Sequence, residues 1–289
     1  MLDKMSNLNQ RLAVGLAGVC LILTAIYFSS YPYFRPIFAL ITAAIIGGAV
    51  WEFYAMSKNK ALHPLESLGV LGSIVYVVAV FWSTQSGSVL LPGIILAAIL
   101  FIGFLHFFFR GGQILLDLAI TFFAFGYLTI PLAFLVNINY YFPPDAPQDG
   151  RWWLIFLILV TKMTDTGGFF FGKFFGRTRM TPEISPKKTW EGAVGGTLMA
   201  LAAAAAYSVV TDYFFPTDVH ALSLWSTIGL GFIVSVLAQF GDLSESMLKR
   251  DACIKDSNQL PGLGGLLDIV DSLVFTTPIV YIFLKLMYP

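Results

Sequence analysis

Apolar runs of about 20 residues return along nearly all of this 289-residue chain, and that recurrence constrains its fold more than any other feature. A helix rising about 1.5 Å per residue crosses the ~30 Å hydrocarbon core of a bilayer in ~20 residues. The runs lack the period-2 alternation of an outer-membrane barrel strand. Nine spans are read, at about 12–31, 37–56, 68–83, 88–109, 113–136, 152–172, 190–210, 223–241 and 268–287. The first is kept as a helix rather than a secretory signal, because its apolar core is too long and no small-residue cleavage site follows. Hydrophobic residues make up 57% of the chain, charged residues only 12%, and mean hydropathy is +0.78. A soluble core in a chain of this size cannot bury that much apolar surface. The expected fold is an all-α integral membrane protein of about nine transmembrane helices, with a polar cavity facing the cytoplasm.

Formal charges cancel, so distribution carries the information. With the N-terminus inside, inner segments hold thirteen Lys and Arg residues against three outside, Arg35, Arg151 and Lys285, with Lys162 left within a span. That bias places the N-terminus in the cytoplasm. It also puts the charged loops 173–189 and 242–267 on one cytoplasmic side, where their residues can meet. The Pro- and Asp-rich stretch 137–151 reads as an interfacial connection between an N-terminal part, 1–136 with about five spans, and a C-terminal part, 137–289 with about four. Cys20 and Cys253 make no plausible staple, and His63, His106 and His220 are too scattered for a histidine metal site. Gly195–Gly196, Gly229, Gly231 and Ala202–Ala206 read as close helix packing.

The stretch Gly241–Ser272 gathers six acidic residues (Asp242, Glu245, Asp251, Asp256, Asp268, Asp271) and three basic ones (Lys249, Arg250, Lys255) between two spans. Charge beside a bilayer is costly and marks a functional site by default. Asp268 and Asp271 are three apart at the start of the last span, so a helix there turns both carboxylates one way. Asp242 ends the preceding span, with Ser246 one turn further. Three carboxylates converging from two helix ends form a hard-oxygen site suited to Mg²⁺. The plainer readings are N-capping for Asp268 and an i, i+4 pair for Glu245 and Lys249. Pro261 to Gly265 supplies a turn whose amides can approach a phosphate.

A second constellation precedes it. Asp165, followed by Thr166-Gly167-Gly168, lies deep in an apolar run; it either serves a site or pairs with Lys162 at i, i+3. Ser185-Pro186-Lys187-Lys188-Thr189 stands just before the seventh span. Hydroxyls, ammoniums and helix N-terminal amides together make an anion site there, or else the lysines meet anionic headgroups. Carboxylates that hold a divalent cation beside such a phosphate site point to phosphoryl or nucleotidyl transfer at a membrane surface.

The pattern Ser246-x-x-Lys249-Arg250-x-x-x-x-Lys255-Asp256-Ser257, then Pro261-Gly262-x-Gly264-Gly265-x-x-Asp268-x-x-Asp271, resembles the signature of phosphatidate cytidylyltransferases, or CDP-diacylglycerol synthases. Ser185 to Gly192 and Asp165-Thr166 are similar to a second segment of that family. The resemblance runs from about residue 150 to the C-terminus. It departs at Leu263 and Ile269, where the family usually carries His and Arg, and the Lys-Asp-Ser to Pro-Gly spacing is one residue short.

The resemblance implies condensation of CTP with phosphatidic acid to CDP-diacylglycerol and pyrophosphate in phospholipid synthesis. It implies Mg²⁺ and a second cation, for which a monovalent ion is one candidate, at a paired site on Asp242 and Asp268, with Asp271 adjacent. Lys188 and Lys187 would contact phosphate, with Ser185, Thr189, Gly264, Gly265 and Asp165 around the substrate. Ser246, Lys249, Arg250, Lys255 and Asp256 would complete the catalytic cavity. Membrane lipids and a second copy of the chain are implied partners; nucleic acid is not. Two rivals stand beside this reading: a transferase or kinase using CTP on another lipid acceptor, and a cation transporter with intramembrane aspartates. Against the transporter, the charges cluster at helix ends on one face with Lys and Arg among them.

Overall fold

Eight helices among the described residues are long and apolar enough to cross a membrane, and they correspond in order to spans two to nine. The computed structural model describes residues 18, 20–214, 223–254 and 265–288. Of the first span, residues 20–28 form helix α1 and 29–31 turn away from it, while 12–17 and 19 lie outside the described residues, as does His220. The other elements are α2 (Arg35–Ser57), α3 (Glu66–Ser86), α4 (Leu90–Arg110), α5 (Ile114–Ala124), α6 (Ile130–Asn139) and α7 (Gly150–Phe175). A short hairpin follows, β1 (Arg179–Thr181) and β2 (Ser185–Thr189), then α8 (Trp190–Phe214), α9 (Leu224–Asp251), α10 (Leu266–Val270) and α11 (Thr276–Met287). An all-α membrane architecture is what the chain adopts.

The chain divides into two compact units, Met1–Val136 with Ala252–Ile269 and Asn137–Asp251 with Val270–Pro289. In the first, α2 buries Ala39, Ala43, Ile46, Val50 and Phe53, a stripe at three- and four-residue spacing. Two buried polar contacts lie within this unit. Tyr54 donates to the Thr121 carbonyl at 2.9 Å, and the Ser73 and Thr129 hydroxyls meet at 2.7 Å. Pro131 has no N–H for the helix ladder, and one π turn, Phe125–Thr129, joins α5 to α6 ahead of it.

The second unit is built on glycine. A Cβ on Gly196 would lie 2.7 Å from the Thr164 carbonyl oxygen, and one on Gly167 would lie 2.9 Å from Gly196 Cα. Helices α7 and α8 therefore pack backbone to backbone, as small residues permit in membranes. Gly231 of α9 fits against Ala204, where a Cβ would come within 2.7 Å, but Gly229 faces open space and has no packing role. At the far end, Trp153 is buried and Tyr141 donates to the Leu284 carbonyl at 3.3 Å, tying the loop after α6 to α11.

Three local expectations are corrected. The segment after residue 241 is not loop at first: α9 continues to Asp251, because Leu, Glu, Met, Lys and Arg favour helix whether or not they are apolar. Ser185–Thr189 stands just before the seventh span as expected, but as a strand rather than loop; Thr189 caps α8, its hydroxyl accepting from Gly192 N–H at 3.1 Å. The last span is interrupted, with a 3₁₀ turn at Asp271–Leu273 between α10 and α11. Pro278 explains the break, since it leaves the carbonyl of residue 274 without a helical donor and crowds it.

Candidate active site

Helices α7, α8 and α9 and strand β2 line one cavity in the second unit, about 430 Å³ in volume. Its wall on α7 is Thr164, Asp165, Gly168, Phe169, Gly172 and Lys173, one helical face at three- and four-residue spacing. Strand β2 adds Lys187, Lys188 and Thr189, and α9 adds Gln239, Asp242 and Leu243. The expectation that the two charged segments meet is fulfilled here: Lys188 Nζ lies 2.8 Å from Asp242 Oδ2. Lys162 and Asp165 pair at 3.4 Å, both partly exposed. The volume falls within the range of small-molecule sites.

The hairpin that carries the lysines is fixed from both sides. Its register pairs Arg179 with Thr189 and Thr181 with Ser185, with an irregularity between them, where Pro186 has no N–H to give the ladder. Glu191, in the first turn of α8, accepts from the backbone N–H of Arg177 and of Thr178, each at 3.1 Å. Arg250, near the end of α9, donates its Nε to the Ile184 carbonyl in the hairpin turn at 3.0 Å. Arg250 thus contacts the lysine-bearing hairpin, although it does not line the cavity.

Beside Asp242 is a cluster of carboxylates. Asp242, Glu245 and Asp271 each offer an oxygen, and all three oxygens lie within 4.8 Å of one another. Asp242 and Glu245 are i, i+3 on α9. Asp271 reaches them because Gly241 lets α9 close on its backbone; a Cβ at Gly241 would lie 2.3 Å from the Asp271 carbonyl oxygen. Glu245 is 2% exposed and Asp271 6%. Three mutually repelling carboxylates, two of them buried, need positive charge between or beside them. Lys249 supplies part, 2.8 Å from Glu245 Oε1 and itself buried, and Lys188 supplies part at Asp242. The donor set is all oxygen, with no His or Cys. Ligands at about 2.1 Å around an octahedral Mg²⁺ lie about 3–4 Å apart, a spacing these oxygens meet with small movement. The residues fit a hard divalent cation.

The other expected site residues divide as follows. Asp268 lies on α10 and is exposed, and its Oδ2 accepts from Gly265 N–H at 3.3 Å. Asp271, three residues on, is buried, so the pair does not share one environment: the α-helix ends between them. Ser246 is half-buried on α9, and Ser185 half-buried on β2. Lys255, Asp256 and Gly264 lie outside the described residues, as does Leu263. Reading the sequence missed Gln239, whose Nε2 donates to Thr197 Oγ1 at 3.0 Å, and Lys173 and Phe169 as lining residues. Their signal was the helical period: 239, 242, 243 and 165, 168, 169, 172 are faces that anchor on the two aspartates. Glu245 was read as half of an ion pair; it is that and a member of the carboxylate cluster.

Comparison with known proteins extends the likeness beyond the C-terminal half. The profile of the Cytidylyltransferase family matches residues 9–287. A protein of Chlamydia pneumoniae named phosphatidate cytidylyltransferase is 34% identical over 96% of this chain and 92% of its own length. The namesake of Chlamydia trachomatis serovar D is 34% identical with the same coverage. One from Staphylococcus aureus (strain COL) is 36% identical over 52% of this chain and 55% of its own. A match along almost the full length, with lysines and carboxylates gathered at one membrane-helix cavity, makes this chain a member of the cytidylyltransferase family.

Proposed function

We propose that this enzyme transfers the cytidylyl group of CTP to phosphatidic acid, giving CDP-diacylglycerol and pyrophosphate for phospholipid synthesis. The observation that carries the reading is the meeting of Lys188 with Asp242 at the rim of a carboxylate cluster, in a cavity that also holds Lys173 and Lys187. A phosphate oxygen of the lipid attacks the α-phosphorus of CTP, a new P–O bond forms, and the bond from that phosphorus to the β-bridging oxygen breaks. The electron pair leaves on pyrophosphate. The nucleophile is ionised at neutral pH, so no general base is required.

Lys187 and Lys188 are assigned to the phosphates, where ammonium groups offset charge that builds on the leaving group. Thr189 and Ser185 flank them as hydroxyl donors. Asp242, Glu245 and Asp271 would hold Mg²⁺, with Asp268 assigned the same role by its motif. Bound there, Mg²⁺ would withdraw charge from the triphosphate and orient it. A second cation, the cytoplasmic position of the site, the N-terminus inside the cell membrane and a homodimer are carried by the motif resemblance and by the positive-inside bias.

The test is product identity. Purified protein in detergent is given CTP, Mg²⁺ and, separately, phosphatidic acid, diacylglycerol and a polyprenol. CDP-diacylglycerol with equimolar pyrophosphate from phosphatidic acid alone supports the reading. A phosphorylated lipid with CDP released means a kinase. Nucleotide-independent ion flux in proteoliposomes, with no lipid product, means a transporter.

A further inference from the structure

Glu52 is a carboxylate in the apolar helix α2, 2% exposed, and it belongs to neither constellation described above. Its two oxygens accept from successive backbone amides 214 and 215 residues away: Leu266 N–H to Oε1 at 2.9 Å and Leu267 N–H to Oε2 at 2.8 Å. These are the first two amides of α10, which have no acceptor within their own helix. The residue before them, Gly265, has no side chain to serve as a cap. Asp268, third in the helix, accepts from Gly265 N–H, which is one half of a capping box. Glu52, from a different helix, takes the amides of the next two residues, Leu266 and Leu267. The approach is close, for a Cβ on Gly48, one turn before Glu52, would lie 2.3 Å from Leu266 Cδ1.

We propose that Glu52 is a positioning residue for Asp268: by capping α10 from α2 it holds the first turn of the helix, and so fixes where the Asp268 carboxylate is presented to a divalent cation. The proposal rests on the reading that Asp268 helps bind that cation. A carboxylate in an apolar helix is costly to bury, and its retention is explained by two amides that nothing else in the first turn satisfies. Without Glu52, the first turn loses both acceptors, and Asp268 loses the fixed backbone from which it projects. Partners of this kind, behind a metal ligand, typically alter cation affinity about 10–100-fold.

The experiment measures Mn²⁺ binding to the full-length chain in detergent by electron paramagnetic resonance, without nucleotide or lipid, beside the Mg²⁺ dependence of turnover. In Glu52→Gln one acceptor oxygen becomes a donor. The Mn²⁺ Kd is expected to rise about tenfold, and the Mg²⁺ half-saturation point to rise with it, while kcat at saturating Mg²⁺ stays within about threefold of wild type. Glu52→Asp, charged but one methylene short, falls between. Gly48→Ala, which presses on Leu266 without touching any charge, moves Kd the same way and covers the case in which Glu52→Gln does not fold. Wild-type Mn²⁺ affinity in the folded Glu52 and Gly48 variants, with Asp268→Asn weakened, overturns the proposal and leaves Glu52 a purely structural cap. Unchanged Mn²⁺ affinity in Asp268→Asn overturns the cation reading of Asp268 itself, and the proposal with it.

Discussion

Glu245 shows how one side chain serves packing and chemistry together. It pairs with Lys249 at 2.8 Å, both buried, and it also brings an oxygen to the cluster with Asp242 and Asp271. Removing one partner of a buried ion pair costs about 3–5 kcal/mol, because the other charge is left uncompensated. Glu245→Gln alone is therefore expected to lower thermal stability markedly, and Glu245→Gln with Lys249→Met to restore most of it. Activity does not return in the double variant if Glu245 holds the cation; full activity there would leave the ion pair as its only role. At this scale the sequence was informative about residue type and less so about company. Asp242 and Lys188 were both singled out, and spacing alone brought Asp268 and Asp271 to one face. The structure exposes one and buries the other because the helix stops after Val270, a break set by Pro278 further along.

Among elements, the α7–α8 contact sets the width of the cavity, and glycine sets the contact. Gly196→Ala forces a methyl against the Thr164 carbonyl and the Gly168 amide, at 2.7 and 3.1 Å, where only backbone can yield. A loss of about 1–3 kcal/mol is expected, with reduced turnover, since Thr164 and Gly168 line the cavity. Gly229→Ala, on α9 with open space around it, is expected to be neutral or to gain about 0.5–1 kcal/mol through helix propensity. Thermal unfolding of the two variants in detergent checks both, and equal effects would remove glycine packing as the cause. The spans were legible because hydrophobic length is a strong signal. The hairpin was not, since five residues, two of them Lys and one Pro, carry no strand pattern; it is held by Glu191 at its entry and by Arg250 at its turn. The polar extension of α9 was hidden for a related reason: hydropathy marks where a helix leaves lipid, not where it ends.

For the whole molecule, the family relationship and the eight described spans make this a multi-pass membrane enzyme. The sidedness proposed from the positive-inside bias has its own test. In a Cys20→Ser, Cys253→Ser background, an impermeant maleimide applied to intact cells is expected to label Asp145→Cys, between α6 and α7, and not Glu183→Cys, in the hairpin turn. The reverse pattern would put the cavity outside, away from cytosolic CTP. The central claim is that nucleotidyl transfer takes place where Lys188 meets the carboxylates. It is tested most directly by following label from CTP carrying ³²P at the α-position into phosphatidic acid, with wild type, Lys188→Ala and Asp242→Asn compared across a Mg²⁺ titration. Label should enter the lipid with wild type and stop on chelation by EDTA. It should fall on the order of 100-fold in each folded variant, the scale of losing one charge-stabilising group. Wild-type label transfer by folded Asp242→Asn would contradict the account.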